Sequence, residues 1–417
     1  MRLGLGTKIV RAFRRGLLIR KSVPYLWYYL GPAFVVRLWC RLRPARRDKI
    51  VLYNFRGLGF GDHQKYIVLE LLRRKTPLEI VWLAVDPETV RREVPPGVRV
   101  APYAPLSAIR ELASARFWCV NQSMTAFIFW GLAKKRSQCY VQTYHGSLGI
   151  KRIGADSFGD GTVRLWERVL RRDAAMIDYL IANATWEAET VYRTRFFGCG
   201  QPMLFGHPRN DVFFSDQSET RRRVRESFGI GPDERILFYA PTHRHNRRRD
   251  VIVQDLAALK AACERRFGGR WRAMVRLHPN MVGYARGVDF GAETVDATRY
   301  PDMQELLIAS DVLLSDYSSC MFDFMLTRRP VFVYAPDIEE YQRVQGFYYP
   351  MSETPFPVAH TESDILDNIE QFDESVYRDR VEAFLREKGC CEDGHATERV
   401  VDLIERLLQR RRTGGGQ

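Results

Sequence analysis

Short apolar runs alternate with longer stretches of helical period along most of the chain. Runs at residues 49–55 (KIVLYNF), 79–85 (EIVWLAV), 116–120 (RFWCV), 138–144 (QCYVQTY) and 178–183 (DYLIAN) each predict a buried strand. After a polar break around 206–211 (GHPRND) the rhythm restarts at 235–241, 271–277, 311–316 and 330–335. Helical spacing fills 63–74, 304–310, 321–327 and 396–409 between and after these runs. Strands that are apolar throughout, rather than alternating, are covered on both faces, which is the signature of parallel sheets flanked by helices. The pattern therefore predicts an α/β protein with two Rossmann-like domains facing a cleft. The predicted division is 49–215 for the first domain and 216–417 for the second. No internal repeat interrupts the pattern, and low complexity is confined to the TGGGQ tail.

Residues 1–48 do not share this rhythm. Leu5, Ile9, Val10, Phe13 and Leu17 fall on one side of a helical projection, Lys8, Arg11, Arg14 and Arg15 on the other, and Leu18 spoils the basic side. An uncharged, aromatic stretch follows at 22–36, broken by Pro24, Gly31 and Pro32. At fifteen residues it falls short of the ~20 needed to span a bilayer. It also lacks the small-residue cleavage site of a signal peptide. A basic amphipathic helix followed by a broken apolar stretch suits the surface of an anionic membrane, so a peripheral location on the inner face of the cell membrane is expected.

Charge sharpens this reading. The formal net charge is +14, yet residues 1–48 alone hold twelve Lys/Arg against one Asp, leaving only +3 for the rest. That balance argues against a nucleic-acid-binding protein, which spreads basic charge over its binding face. None of the eight cysteines lies in a C-x-x-C pair, and several sit inside apolar runs, as in a reduced, cytoplasmic protein.

In open α/β sheets, ligands lie outside the carboxyl ends of the strands, so chemistry is sought immediately after each run. Four polar clusters stand there. Tyr144-His145-Gly146-Ser147 follows the fourth run and continues to Lys151; an imidazole at a strand end can take a proton from a hydroxyl at neutral pH. Ala240-Pro241-Thr242-His243-Arg244 follows the sixth. Arg276-Leu277-His278-Pro279 follows the seventh, and His278 there can donate to a phosphate oxygen or protonate a leaving group. Ser315-Asp316-Tyr317-Ser318-Ser319 precedes a helix start, where hydroxyls and open backbone N–H groups suit a phosphate. The Gly57-x-Gly59-x-Gly61 loop lacks the dinucleotide spacing and reads as a flexible turn. The arginines at 244 and 247–249 around His243 and His245 suit an anion and not a metal, and the carboxylates at 323, 337, 339 and 340 lack metal-site spacing.

Taken together, QTYHGSLGIKRIGAD, FGHPRNDVFF, FYAPTHR, RLHPN, DVLLSDYSSCMFDFMLTRRPVFVYAPDIEEY and GHATERVVDLI resemble, in order and spacing, the CDP-glycerol glycerophosphotransferase family of teichoic acid and capsule synthesis. The resemblance covers residues 49–408. It implies a GT-B-like, nucleotide-dependent transferase that moves a polyol phosphate, glycerol phosphate foremost, from a CDP-polyol to a hydroxyl of a lipid-linked or growing glycan, releasing CMP. It implies no metal and no tightly bound cofactor. His145 becomes the expected base, with His278 as second catalytic group. Thr242, Arg244, Arg276, His278, Ser318, Ser319 and Asp323 become the expected donor site. Gly146, Ser147, Lys151, Arg209 and Asp211 become the expected acceptor cleft. The chain departs from the family in the longer His145–Lys151 segment, which lacks the usual proline, and in His243 where an aromatic usually follows APT. A sugar transferase on the same scaffold is the alternative chemistry.

Overall fold

The structure is a computed structural model that describes residues 31–153, 164–244, 251–253, 255–278, 281, 290–291 and 293–409. The amphipathic stretch at 5–17 and the arginines at 247–249 lie outside the described residues.

Two parallel sheets dominate. The first comprises β1 (Arg46–Tyr53), β2 (Glu79–Ala84), β3 (Val98–Pro102), β4 (Ala115–Val120), β5 (Cys139–Gln142), β6 (Tyr179–Ala182) and β7 (Gln201–Leu204), in the order β3-β2-β1-β4-β5-β6-β7. The second comprises β8 (Glu234–Tyr239), β9 (Arg270–Val275), β10 (Val295–Asp296), β11 (Val312–Ser315), β12 (Val331–Tyr334) and β13 (Val358–Ala359), ordered β10-β9-β8-β11-β12-β13. Both orders reverse direction beside the first strand, between β1 and β4 and between β8 and β11, which is where open α/β sheets bind ligands. Every predicted strand is present. The sequence reading missed β3 and β7, which lie at the sheet's edges, and the two-residue β10 and β13. The residues of β7 are exposed or half-buried, so they carry no apolar run to find.

Apolar side chains cover both faces of the first sheet, with Val51, Trp118 and Tyr140 in one cluster and Ile50, Trp82 and Val141 in the other. The final helix, Ala396–Gln409, contributes Val400, Val401 and Ile404 to this second cluster, against Ile67 and Leu71 of helix Asp62–Arg73. A division at residue 215 therefore leaves out one crossing: the last helix belongs by packing to the first sheet. Its apolar stripe has nowhere else to be buried, because the second sheet's core is already closed by helices Leu256–Phe267, Glu362–Glu370 and Glu374–Glu387.

Main-chain hydrogen bonds stitch the halves together. Tyr348 N donates to Ile150 O (2.7 Å) and Arg152 N to Gly346 O (3.0 Å); Thr185 N and Trp186 N reach Gly389 O and Lys388 O, each at 3.1 Å. Lys65 adds ion pairs to Asp302 (2.6 Å) and Glu305 (2.8 Å) across the same seam. The segment that begins at His145 is thus tied by its own backbone to the second half.

Candidate active site

Strand β5 ends at Gln142 and delivers Tyr144 and His145 to the carboxyl edge of the first sheet. Tyr144 takes a left-handed backbone (φ 56°), as do Phe55 (φ 35°), Arg56 (φ 60°) and Asp62 (φ 56°) in the loop after β1. Such conformations are strained for non-glycine residues and persist only where surrounding contacts hold them, as they do at functional sites. Here the Tyr144 ring packs on His145 with centroids 4.8 Å apart, and Phe55 meets the imidazole edge-on at 5.5 Å. A Cβ on Gly146 would run into the Tyr144 ring, so only glycine fits.

His145 is half-buried, and its Nδ1 lies 2.8 Å from the Asn121 carbonyl oxygen. A carbonyl only accepts, so Nδ1 carries the hydrogen and Nε2 is left as the basic atom. Burial holds the imidazole pKa down to about 4, with Asp62 opposing and Arg209 and Arg195 reinforcing the shift. The ring is therefore neutral at physiological pH. Asn121 follows β4 and accepts from Phe55 N (3.0 Å), so the switch point of the first sheet is what orients the ring.

The switch point of the second sheet carries the other cluster. Thr242 N donates to both Asp316 oxygens at 3.0 Å, joining the segment after β8 to that after β11. Ser318 and Ser319 open the short helix Cys320–Phe324, and Ser318 Oγ accepts from Cys320 N at 3.4 Å. Gly149, from the first half, passes so close that an added Cβ would lie 3.6 Å from the Ser319 Cβ. Two positions later Lys151 enters, within electrostatic reach of Asp316, Cys320 and His278. Burial lowers its pKa, and it makes no ion pair with a described residue. Arg276, after β9, is also pushed down by burial; its Nη1 contacts the sulfur of Met303 (3.4 Å) and no described carboxylate. His278 is exposed, with its ring 5.6 Å from His243. Desolvation, then repulsion from His243, Lys151 and Arg276, holds it down to about 4. Lys151 and Arg276, which form no ion pair with a described carboxylate, favour an anion.

The structure thus brings Thr242, Lys151, Arg276, His278, Ser318 and Ser319 to one edge, and His145 and Gly146 stand earlier on the loop that carries Lys151. Lys151, expected in the cleft, lies near Asp316, Cys320 and His278 of the second half. Five other expected site residues are consumed by the scaffold. Arg244 is buried; it is held by Asp337 (2.7 and 3.0 Å), Asp316 (2.8 Å) and the Thr242 carbonyl (2.8 Å), and its guanidinium stacks over Tyr317 and Tyr341. Asp323 is buried and occupied by Arg209, Asn210 and Gln304. Ser147 is buried and accepts from Asn183 (2.9 Å). Asp211 accepts from Ala396 N (3.0 Å) and Thr397 N (2.7 Å), capping the last helix from outside it. Arg209 is buried between the halves, paired with Asp62 (3.0 Å) and Asp323 (2.9 Å).

The sequence reading missed Asp62 and Asn121, and it took the 57–61 loop for a flexible turn. That loop is tight: Gly57 has φ 86°, and a Cβ there would lie 2.8 Å from Tyr103 atoms. The signal available was Gly61-Asp62-His63 at the start of the helix that follows β1. Among the described residues no group of three or more His, Cys, Asp or Glu side chains could hold a metal ion.

The family model described as CDP-Glycerol:Poly(glycerophosphate) glycerophosphotransferase matches residues 35–406. The chain is 26% identical to the teichoic acid poly(glycerol phosphate) polymerase of Bacillus spizizenii over 87% of this chain and 93% of that one. It is 24% identical to the teichoic acid glycerol-phosphate transferase of Staphylococcus aureus, over 86% and 93%. Against the Bacillus subtilis teichoic acid poly(glycerol phosphate) polymerase it is 27% identical over 87% of its own length, but spans only 49% of that longer relative. A solved structure of the wall teichoic acid polymerase TagF shares the fold, with a TM-score of 0.77, 23% identity and 99% of each chain covered.

Proposed function

The chain belongs to the CDP-glycerol:poly(glycerophosphate) glycerophosphotransferase family and is a phosphotransferase; from that premise we propose that it moves a polyol phosphate, glycerol phosphate foremost, from a CDP-polyol to a hydroxyl of a growing or lipid-linked teichoic-acid-type acceptor. His145 Nε2 takes the proton of the acceptor hydroxyl. That oxygen then bonds to the donor's β-phosphorus, the bond from this phosphorus to the bridging oxygen breaks, and CMP leaves with the bridging oxygen. Lys151, Arg276, His278 and the Ser318–Ser319 segment hold the pyrophosphate and take up the charge that accumulates on the leaving side. Little covalent work falls to the protein in such a reaction, so positioning and charge stabilisation carry the rate.

One observation carries this reading. A single segment of the first half begins at a neutral imidazole with Nε2 as its basic atom and ends at Lys151, a cation with no described carboxylate partner, beside the serines of the second half. That arrangement supports reading one end of the segment as base and the other as phosphate-binding charge.

Attachment to an anionic membrane surface belongs to the same proposal. Helix Pro32–Leu42, which leads into β1, leaves Phe34, Val35, Leu38 and Leu42 exposed, and the basic residues of 1–30 precede it. No described helix is long and apolar enough to cross a membrane.

His145→Ala tests the base: turnover should fall by about 10²–10⁴ while CDP affinity is kept. A variant retaining most of the wild-type rate would remove His145 from the chemistry.

A further inference from the structure

Arg209 meets four oxygens with one guanidinium. Nη1 donates to Asp62 Oδ2 and to the His145 carbonyl, both at 3.0 Å. Nη2 donates to the Gly146 carbonyl at 3.2 Å and pairs with Asp323 Oδ2 at 2.9 Å. The residue is 3% exposed, so it holds no acceptor itself.

Each partner has a different address. Asp62 opens helix Asp62–Arg73 in a left-handed conformation, where its Oδ1 accepts from His63 N (2.7 Å). Asp323 lies in the short helix that Ser319 opens, and its oxygens also accept from Asn210 (3.2 Å) and Gln304 (3.1 Å). The two carbonyls are those of His145 and the residue after it. One rigid, planar fork therefore joins the peptide that carries the imidazole to the helix that the serines precede. The ring is fixed by Asn121, while Arg209 fixes the backbone from which the ring projects.

We infer that Asp62, Arg209 and Asp323 form a positioning unit that holds His145 at a set reach from the donor phosphates. The inference rests on the reading of His145 as base. A carboxylate on each side keeps the buried guanidinium charged, and the planar donor set fixes direction as well as distance. A lysine would keep the charge but could not reach four oxygens at once. Misplacement of a reacting group by about 1 Å costs as much as ~10²-fold in rate.

The test is a variant cycle read in kcat, CDP affinity and folding. Arg209→Lys is expected to stay folded, to bind CDP as the wild type does, and to lose about 10- to 100-fold in kcat. Because the unit acts through His145, that loss should vanish when Arg209→Lys is made in the His145→Ala background. Asp62→Asn should repeat the pattern, and it supplies the test if Arg209→Lys does not fold. Wild-type kcat in Arg209→Lys, or an equal loss with and without His145, would overturn the positioning unit and leave the base assignment standing. Wild-type turnover in His145→Ala alone would overturn the base assignment and the unit with it.

Discussion

Replacing Lys151 by Met should make the protein more heat-stable and less able to bind its donor, two effects that normally go together in the opposite sense. In the free protein Lys151 is half-buried, and burial is the first cause of its lowered pKa. Asp316 draws it back only in part, because Arg244 lies nearby and already claims that carboxylate at 2.8 Å. A lysine whose folded pKa is lowered destabilises the fold while it is charged, and the penalty shrinks as the pH rises through that pKa and the proton leaves. Methionine keeps the apolar stem and removes the charge. Relief of a poorly compensated buried polar group contributes about 1–3 kcal/mol, enough to raise the melting temperature by a few degrees at neutral pH. On the donor side, Met removes a charge-assisted hydrogen bond to the pyrophosphate of about 1.5–3 kcal/mol, so CDP should bind roughly ten- to a hundredfold more weakly. Thermal unfolding with and without CDP reads both at once. A lower melting temperature for the free variant, or an unchanged shift on adding CDP, would refute the reasoning.

Two further outcomes follow from the charges. His278 is held down to about 4 in the free protein, and a bound pyrophosphate favours its protonated form, so binding should take up a proton and strengthen as the pH falls toward 6. Calorimetry in buffers of different ionisation enthalpy should show this uptake for the wild type and lose it in His278→Ala; equal uptake in both would assign the proton elsewhere. Arg11, Arg14 and Arg15 each contribute about 1 kcal/mol near an anionic leaflet, so reversing all three to Glu should release the full chain from anionic vesicles in a sedimentation assay. Continued pelleting would place the contact in the folded body, where Phe34 and Leu38 lie exposed.

The architecture was legible because its strands are buried on both faces and so appear as unbroken apolar runs. The same logic located the four clusters, since a parallel sheet presents its chemistry just past each run. What the runs could not convey was which polar side chains at those ends are already spoken for. Arg244 follows β8 as an anion-binding arginine would, yet its partners Asp316 and Asp337 lie 72 and 93 residues away in sequence. Asp211 caps a helix that starts 185 residues later. Asp62 was hidden in a glycine-rich loop whose tightness depends on Tyr103, a contact no local pattern contains. The position of His145 just past β5 could be read from the sequence, whereas its ties to Asn121 and Arg209, 24 and 64 residues away, could not.

The central claim, that a phosphorus atom of the donor passes to the acceptor, is tested most directly by supplying CDP-glycerol labelled at its β-phosphorus together with a soluble acceptor analogue. The account predicts label in the acceptor and unlabelled CMP in equal amount, both formed about 10²–10⁴ times more slowly in His145→Ala. Label remaining with the nucleotide, released as CDP, would mean that the glycerol carbon is transferred instead and would contradict the account.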